Sequence, residues 1–109
     1  MSDAADKPIP IDLTPYAQNL VGAREFLRLW ATPSGATFTF INPVPVGADP
    51  AGFGAAIVDA VRQAAKSYAR AVNIPEDHAL ARIWEGVDAE RAGPVADSPI
   101  SFVPRKDLD

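Results

Sequence analysis

The chain contains no cysteine. That absence removes disulfides, thiolate metal ligands and cysteine nucleophiles together. A chain of 109 residues without such staples relies on its own apolar core, or on a partner that enlarges it. Histidine is nearly missing as well, with His78 the single one. No polybasic segment is present: 10 lysines and arginines are interspersed with 14 acidic residues, for a net charge of −4. This leaves no electrostatic footprint for nucleic acid and none for an anionic bilayer. Long apolar runs are lacking too. The longest, Phe53 to Val61, is interrupted by Asp59 and is far too short to span a membrane. The first residues, Met-Ser-Asp-Ala-Ala-Asp-Lys-Pro, hold no apolar stretch of the signal-peptide kind. The expectation is one soluble, cytoplasmic domain with neither a nucleic-acid nor a membrane partner.

What is present is a pattern of elements. Residues 1–22 carry Pro8, Pro10 and Pro15, which break regular structure and read as a loosely held N-terminal arm, with one helical turn possible over Tyr16 to Val21. Residues 23–93 read as a single α+β domain. Ala23 to Asn42 alternates apolar and polar residues around Pro33-Ser34-Gly35, the signature of a β-hairpin. With Ser34 and Gly35 at the tip, Leu29 faces Phe40 and Ala31 faces Phe38. Leu27, Leu29, Ala31, Phe38 and Phe40 then share one core face. Loops of two or four residues give that pairing, whereas a three-residue loop breaks it.

After a proline-rich connector, Asp49 and Pro50 carry the N-cap and first-turn signals of a long helix reaching about Val72. Its apolar stripe is Phe53, Ile57, Ala60, Val61, Ala64, Tyr68 and Val72. A second helix begins near Pro75, with Glu76 and Asp77 at the positive end of its dipole, and stops at Gly93-Pro94. Residues 94–109 are punctuated by Pro94, Pro99 and Pro104 and read as a tail, in which Ile100, Phe102 and Val103 are candidates for docking in extended form. The predicted architecture is a β-hairpin followed by two helices (ββαα), both packed on one sheet face, with flexible termini.

Chemistry-bearing residues are sparse. His78 has Glu76 and Asp77 beside it, but consecutive helical side chains point apart and do not converge on one ion. Glu85 and Asp88 share a helix face with Arg82 and Arg91 at i±3, which surface ion pairing explains. With Asp59 and Glu90 these are the carboxylates an acid–base pair would draw on, and the surface reading is the ordinary one. No serine lies in a nucleophile elbow. Asp49 to Gly54 opens a helix and contains two glycines, yet matches neither the P-loop nor the dinucleotide fingerprint. Its ordinary reading is a capping loop whose glycines permit close packing. No catalytic, cofactor-binding or metal-binding residue is therefore assigned, and no cofactor is expected.

The one patch with binding character is Arg24, Phe26, Arg28, Trp30 and Ile41, on the hairpin face opposite the predicted core. Arginine and tryptophan are the residue types enriched at hot spots. A lone hairpin is marginal in water and leaves two edges open. Both points lead to a homodimer that joins the hairpins into a larger sheet or packs their Arg28–Trp30 faces. Another protein partner is compatible with the same patch.

Three segments, Ala-Arg-Glu-Phe-Leu-Arg-Leu-Trp, Asp-Pro-Ala-Gly-Phe-Gly and Ala-Leu-Ala-Arg-Ile-Trp-Glu-Gly-Val-Asp-Ala-Glu, resemble a family of short uncharacterised bacterial proteins, the domain of unknown function family 5076. The resemblance covers about Ala23 to Glu90. The family often has tryptophan where this chain has Phe53, a change that keeps the aromatic ring and drops the indole donor. The resemblance implies that hairpin and helices form one unit and brings no activity. The function expected is that of a small non-enzymatic interaction or assembly protein. The alternative is a small-molecule binder or minor enzyme with a pocket between the hairpin and the first long helix.

Overall fold

The computed structural model describes residues 7–94 and 101–102. It has the predicted α+β class and the predicted β-β-α-α order. Strands β1 (Leu27–Ala31) and β2 (Thr37–Ile41) form the antiparallel hairpin. Helices α1 (Pro50–Val72) and α2 (Glu76–Ala92) follow. A two-residue strand, β3 (Ser101–Phe102), pairs in parallel with Thr39 and Phe40, so the sheet runs β1-β2-β3. The segment read as a tail thus supplies a third strand. Ile100 and Val103, the other docking candidates there, lie outside the described residues.

The hairpin register differs from the expected one by a single residue. Arg28 faces Phe40 and Trp30 faces Phe38, while Leu27, Leu29 and Ala31 face Ile41, Thr39 and Thr37. The turn is the reason. Gly35 N–H donates to the Thr32 carbonyl at 2.9 Å, and Thr32 N–H donates to the Ala36 carbonyl at 2.9 Å, which closes a three-residue loop. Pro33 presets the first turn position, and Gly35 takes φ +91°, the left-handed conformation this loop class requires. The Thr32 hydroxyl adds a 3.2 Å bond to the same Ala36 carbonyl. Because side chains alternate with period two, the one-residue slip re-sorts both faces. Trp30, Phe38, Phe40 and Arg28 share one face. Leu27, Leu29, Ala31, Thr37, Thr39 and Ile41 share the other. The predicted core face of Leu27, Leu29, Ala31, Phe38 and Phe40 does not form.

Upstream of the hairpin, Thr14–Leu20 forms a 3₁₀ helix, longer than the single turn expected. Asp12 accepts the Thr14 N–H at 2.9 Å, which holds its carboxyl below the usual aspartate range. Every described residue of this arm from Lys7 to Leu20 is exposed, including Ile9 and Ile11 at 84% each.

The helix pair is built as its signals indicate. The Asp49 carboxylate caps α1 by accepting the Ala51 N–H at 3.0 Å, with Pro50 in the first turn. Asn73, in the left-handed conformation (φ 57°), ends α1, and Pro75 starts α2. Lys66 and Glu76 form an ion pair at 3.1 Å across that turn. Among the described residues the buried ones are Val61, Ala65 and Ala79, at 8%, 1% and 3% exposure. Small side chains at a helix–helix contact let the backbones approach closely. Tyr68 and Val72, predicted members of the α1 stripe, remain exposed.

The helices pack chiefly on each other and the strands on each other. The two layers meet where the Phe26 ring stands edge-on to Phe53, centroids 6.0 Å apart and planes at 82°. That contact lies near the start of α1. There Gly52 has a specific role, because a Cβ on it would lie 2.7 Å from the Val46 carbonyl oxygen. A Cβ on Gly54 meets nothing within 4 Å. The substitutions G52A and G54A should therefore act in opposite directions. The first forces backbone apart and is expected to cost about 1–3 kcal/mol. The second gains helix propensity of roughly 0.5–1 kcal/mol. Urea unfolding midpoints of the two variants against the parent check both signs.

Candidate interaction surface

The five residues expected to form one patch are divided by the fold. Arg24 precedes β1 and is exposed. Phe26 is half-buried in the contact with Phe53 that joins sheet to helix. Arg28 and Trp30 share a sheet face. Ile41 is on the opposite face, beside Leu27. The register shift brings Phe38 and Phe40 beside Trp30 instead. Sequence reasoning missed both, although Pro33 followed by Gly35 is the signal of the loop that puts them there.

Arg28 binds its own neighbour. Its Nε donates to the Glu25 carboxylate at 3.0 Å, and its terminal nitrogen forms the second half of the pair. The hydrogen bond and opposite charge of Glu25 hold the guanidinium above its ordinary range. The pair steadies the guanidinium while both side chains stay about half exposed.

Two clefts flank the sheet. One, of about 680 Å³, lies between the arm residues Lys7–Ile9 and the aromatic face of Trp30, Phe38 and Phe40. The other, of about 520 Å³, lies where the connector meets α1 and is lined by Ile41, Pro43, Val44, Val46, Pro50 and Phe53. Of this lining, Ile41 belongs to the hairpin, Pro50 and Phe53 to the start of α1, and the rest to the connector. Its side chains are apolar, so they offer shape and burial and no group that titrates.

The remaining chemistry-bearing residues stay apart. His78 is exposed in the first turn of α2, where its backbone N–H donates to the Asp77 carboxylate at 2.9 Å. Arg82 pairs with Glu85 as the spacing predicts, whereas Asp88 and Arg91 form no such pair. Among the described residues, no group of histidine, aspartate and glutamate is placed to hold a metal ion. No described helix is long and apolar enough to cross a membrane.

The chain belongs to the family described as Domain of unknown function (DUF5076), whose profile matches residues 10–95. The match reaches beyond Ala23–Glu90, taking in most of the arm and the end of α2. Among solved structures the chain is similar to that of "a putative pyruvate dehydrogenase from the photosynthetic bacterium Rhodopseudomonas palustrus CGA009". The two are 31% identical with a TM-score of 0.60, over 90% of this chain and 96% of that one. No curated protein matches the chain.

If Phe26 and Phe53 join the layers, Phe26→Ala should loosen the whole domain rather than the hairpin alone. For a half-buried aromatic the expected loss is about 2 kcal/mol, below the range for a fully buried one. A lowered urea midpoint, together with loss of near-ultraviolet dichroism, checks it.

Proposed function

We propose that this family member is a small non-enzymatic interaction or assembly protein that acts as a homodimer. The observation that carries the reading is the scarcity of burial. Among the described residues only Val61, Ala65 and Ala79 are buried, and no large side chain is fully buried. Meanwhile Leu29, Val44, Tyr68, Val72 and the arm residues Ile9, Ile11, Leu13, Tyr16, Leu20 and Val21 stay exposed. Isolated surface apolar residues need no explanation, but a fold whose large apolar side chains are almost all half-buried or exposed does. A second copy removes such surface from water at no cost in new sequence, and closed two-fold dimers are the commonest oligomers.

We take the protein to act in a bacterial cytoplasm. The bacterial source of the solved relative and the lack of cysteine support that setting.

The second reading is a small-molecule binder or minor enzyme using the cleft between Ile41 and Phe53. The cleft's presence favours it, and its lining suits an apolar ligand. The Rhodopseudomonas protein is named a putative pyruvate dehydrogenase, and pyruvate is a carboxylate. The lining of this cleft offers it no cationic side chain.

Light scattering on a sizing column across a dilution series separates the readings. The expected mass is twice the 11.6 kDa of the chain, retained into the low micromolar range. A mass of one chain at every concentration would refute the homodimer.

A further inference from the structure

Strand β1 is the outer strand of the sheet on its side. In an antiparallel ladder, opposed residues alternate between pairs that exchange N–H···O=C bonds and pairs that do not. Asn42 N–H donates to Phe26 and Thr32 N–H to Ala36, so the even-numbered residues of β1 form the bonded pairs. The backbone N–H and C=O groups of Leu27, Leu29 and Ala31 therefore point away from β2, toward the open side. Among the described residues no backbone bond meets them.

Natural sheets blunt such edges with proline, bulges, charged side chains or brevity, and the one charge on β1, Arg28, is offset by its ion pair with Glu25. β1 is five residues long, has an unbroken ladder and contains neither proline nor glycine. At its middle Leu29 is 63% exposed.

We propose that the open edge of β1 pairs antiparallel with β1 of a second copy about a two-fold axis at Leu29, fusing the two sheets into one. The inference rests on the homodimer reading and specifies its seam. The segment Leu27-Arg28-Leu29-Trp30-Ala31 is self-complementary in that register. Leu29 meets Leu29, and Leu27 meets Ala31. Each of these residues gives one N–H and accepts one bond through its C=O across the seam. On the other face Arg28 falls opposite Trp30 of the second copy, in the closer, non-bonded type of pair. A guanidinium over an indole is favourable, and Glu25 already steadies Arg28. Neighbouring two-fold registers fare worse. Centring on Arg28 sets two arginines directly opposite each other, a destabilising pair. Centring on Trp30 leaves Leu27 unpaired and runs the seam into the turn at Thr32.

The absence of cysteine makes the test direct. In the proposed register the two Leu29 Cα atoms are about 5.5 Å apart, inside the roughly 4.4–6.8 Å window for a disulfide. Leu29→Cys is expected to cross-link to a covalent dimer under mild oxidation at least 100-fold faster than Ser67→Cys, an exposed control on α1. In parallel, Leu29→Pro removes an outward N–H without touching the β2 ladder. It is expected to raise the dimer dissociation constant at least 100-fold while keeping helical dichroism. The Leu29→Cys result stands by itself if the proline variant fails to fold. A parent dimer in which Leu29→Cys cross-links no faster than the control overturns the seam and leaves the homodimer intact. A parent that is monomeric throughout overturns both.

Discussion

Burial of apolar surface has to offset the conformational entropy of the chain, and small domains have the least surface to bury. In this protein that constraint governs everything else. Among the described residues the buried ones are Val61 and Ala65 of α1 and Ala79 of α2, the two helices that pack on each other. Two of the three are alanines, whose side chains contribute little transfer free energy. Phe26, at the foot of the hairpin, packs edge-on against Phe53 of α1. A hairpin alone is marginal in water. Its third strand, the close approach of Gly52 to Val46 and any contact with a second copy are all answers to the same shortage.

The turn at Thr32–Ala36 decides which residues are available for those answers. A two-residue loop would mix aliphatic and aromatic residues on one face. The three-residue loop gathers Trp30, Phe38 and Phe40 on one side and leaves Leu29 on the other. Gly35 makes this choice, since the left-handed conformation it adopts is strained for any residue with a Cβ. One backbone position thus fixes the composition of both faces, and through them what each face can bind.

The helices were legible from the sequence because their signals are local. Asp49-Pro50, the apolar spacing through Val61, and Gly93-Pro94 each act within a turn or two of the chain. The hairpin was legible as a hairpin for the same reason. Its register was not, because alternation supports two loop lengths and turn chemistry alone separates them. Pro33 and Gly35 held that information. Pairing of Ser101 with Thr39 is a contact between distant parts of the chain with no local marker, so a proline-punctuated segment concealed a strand. The patch of Arg24, Phe26, Arg28, Trp30 and Ile41 was defined by strand parity, and it divided when the fold placed Ile41 on the other face and Phe26 against α1. Arg28 and Trp30 remained together because they lie two apart on one strand, a relation no register change can alter.

The open edge of β1 bears on assembly, because it presents a full strand of five residues. Antiparallel pairing about a two-fold axis consumes that edge in both copies at once, so the pair it forms is closed at β1. Arg28 adds selectivity, because its charge penalises the register that sets it against itself and tolerates the one that sets it against Trp30. The same edge that makes the lone hairpin vulnerable is thereby able to define a closed, symmetric seam.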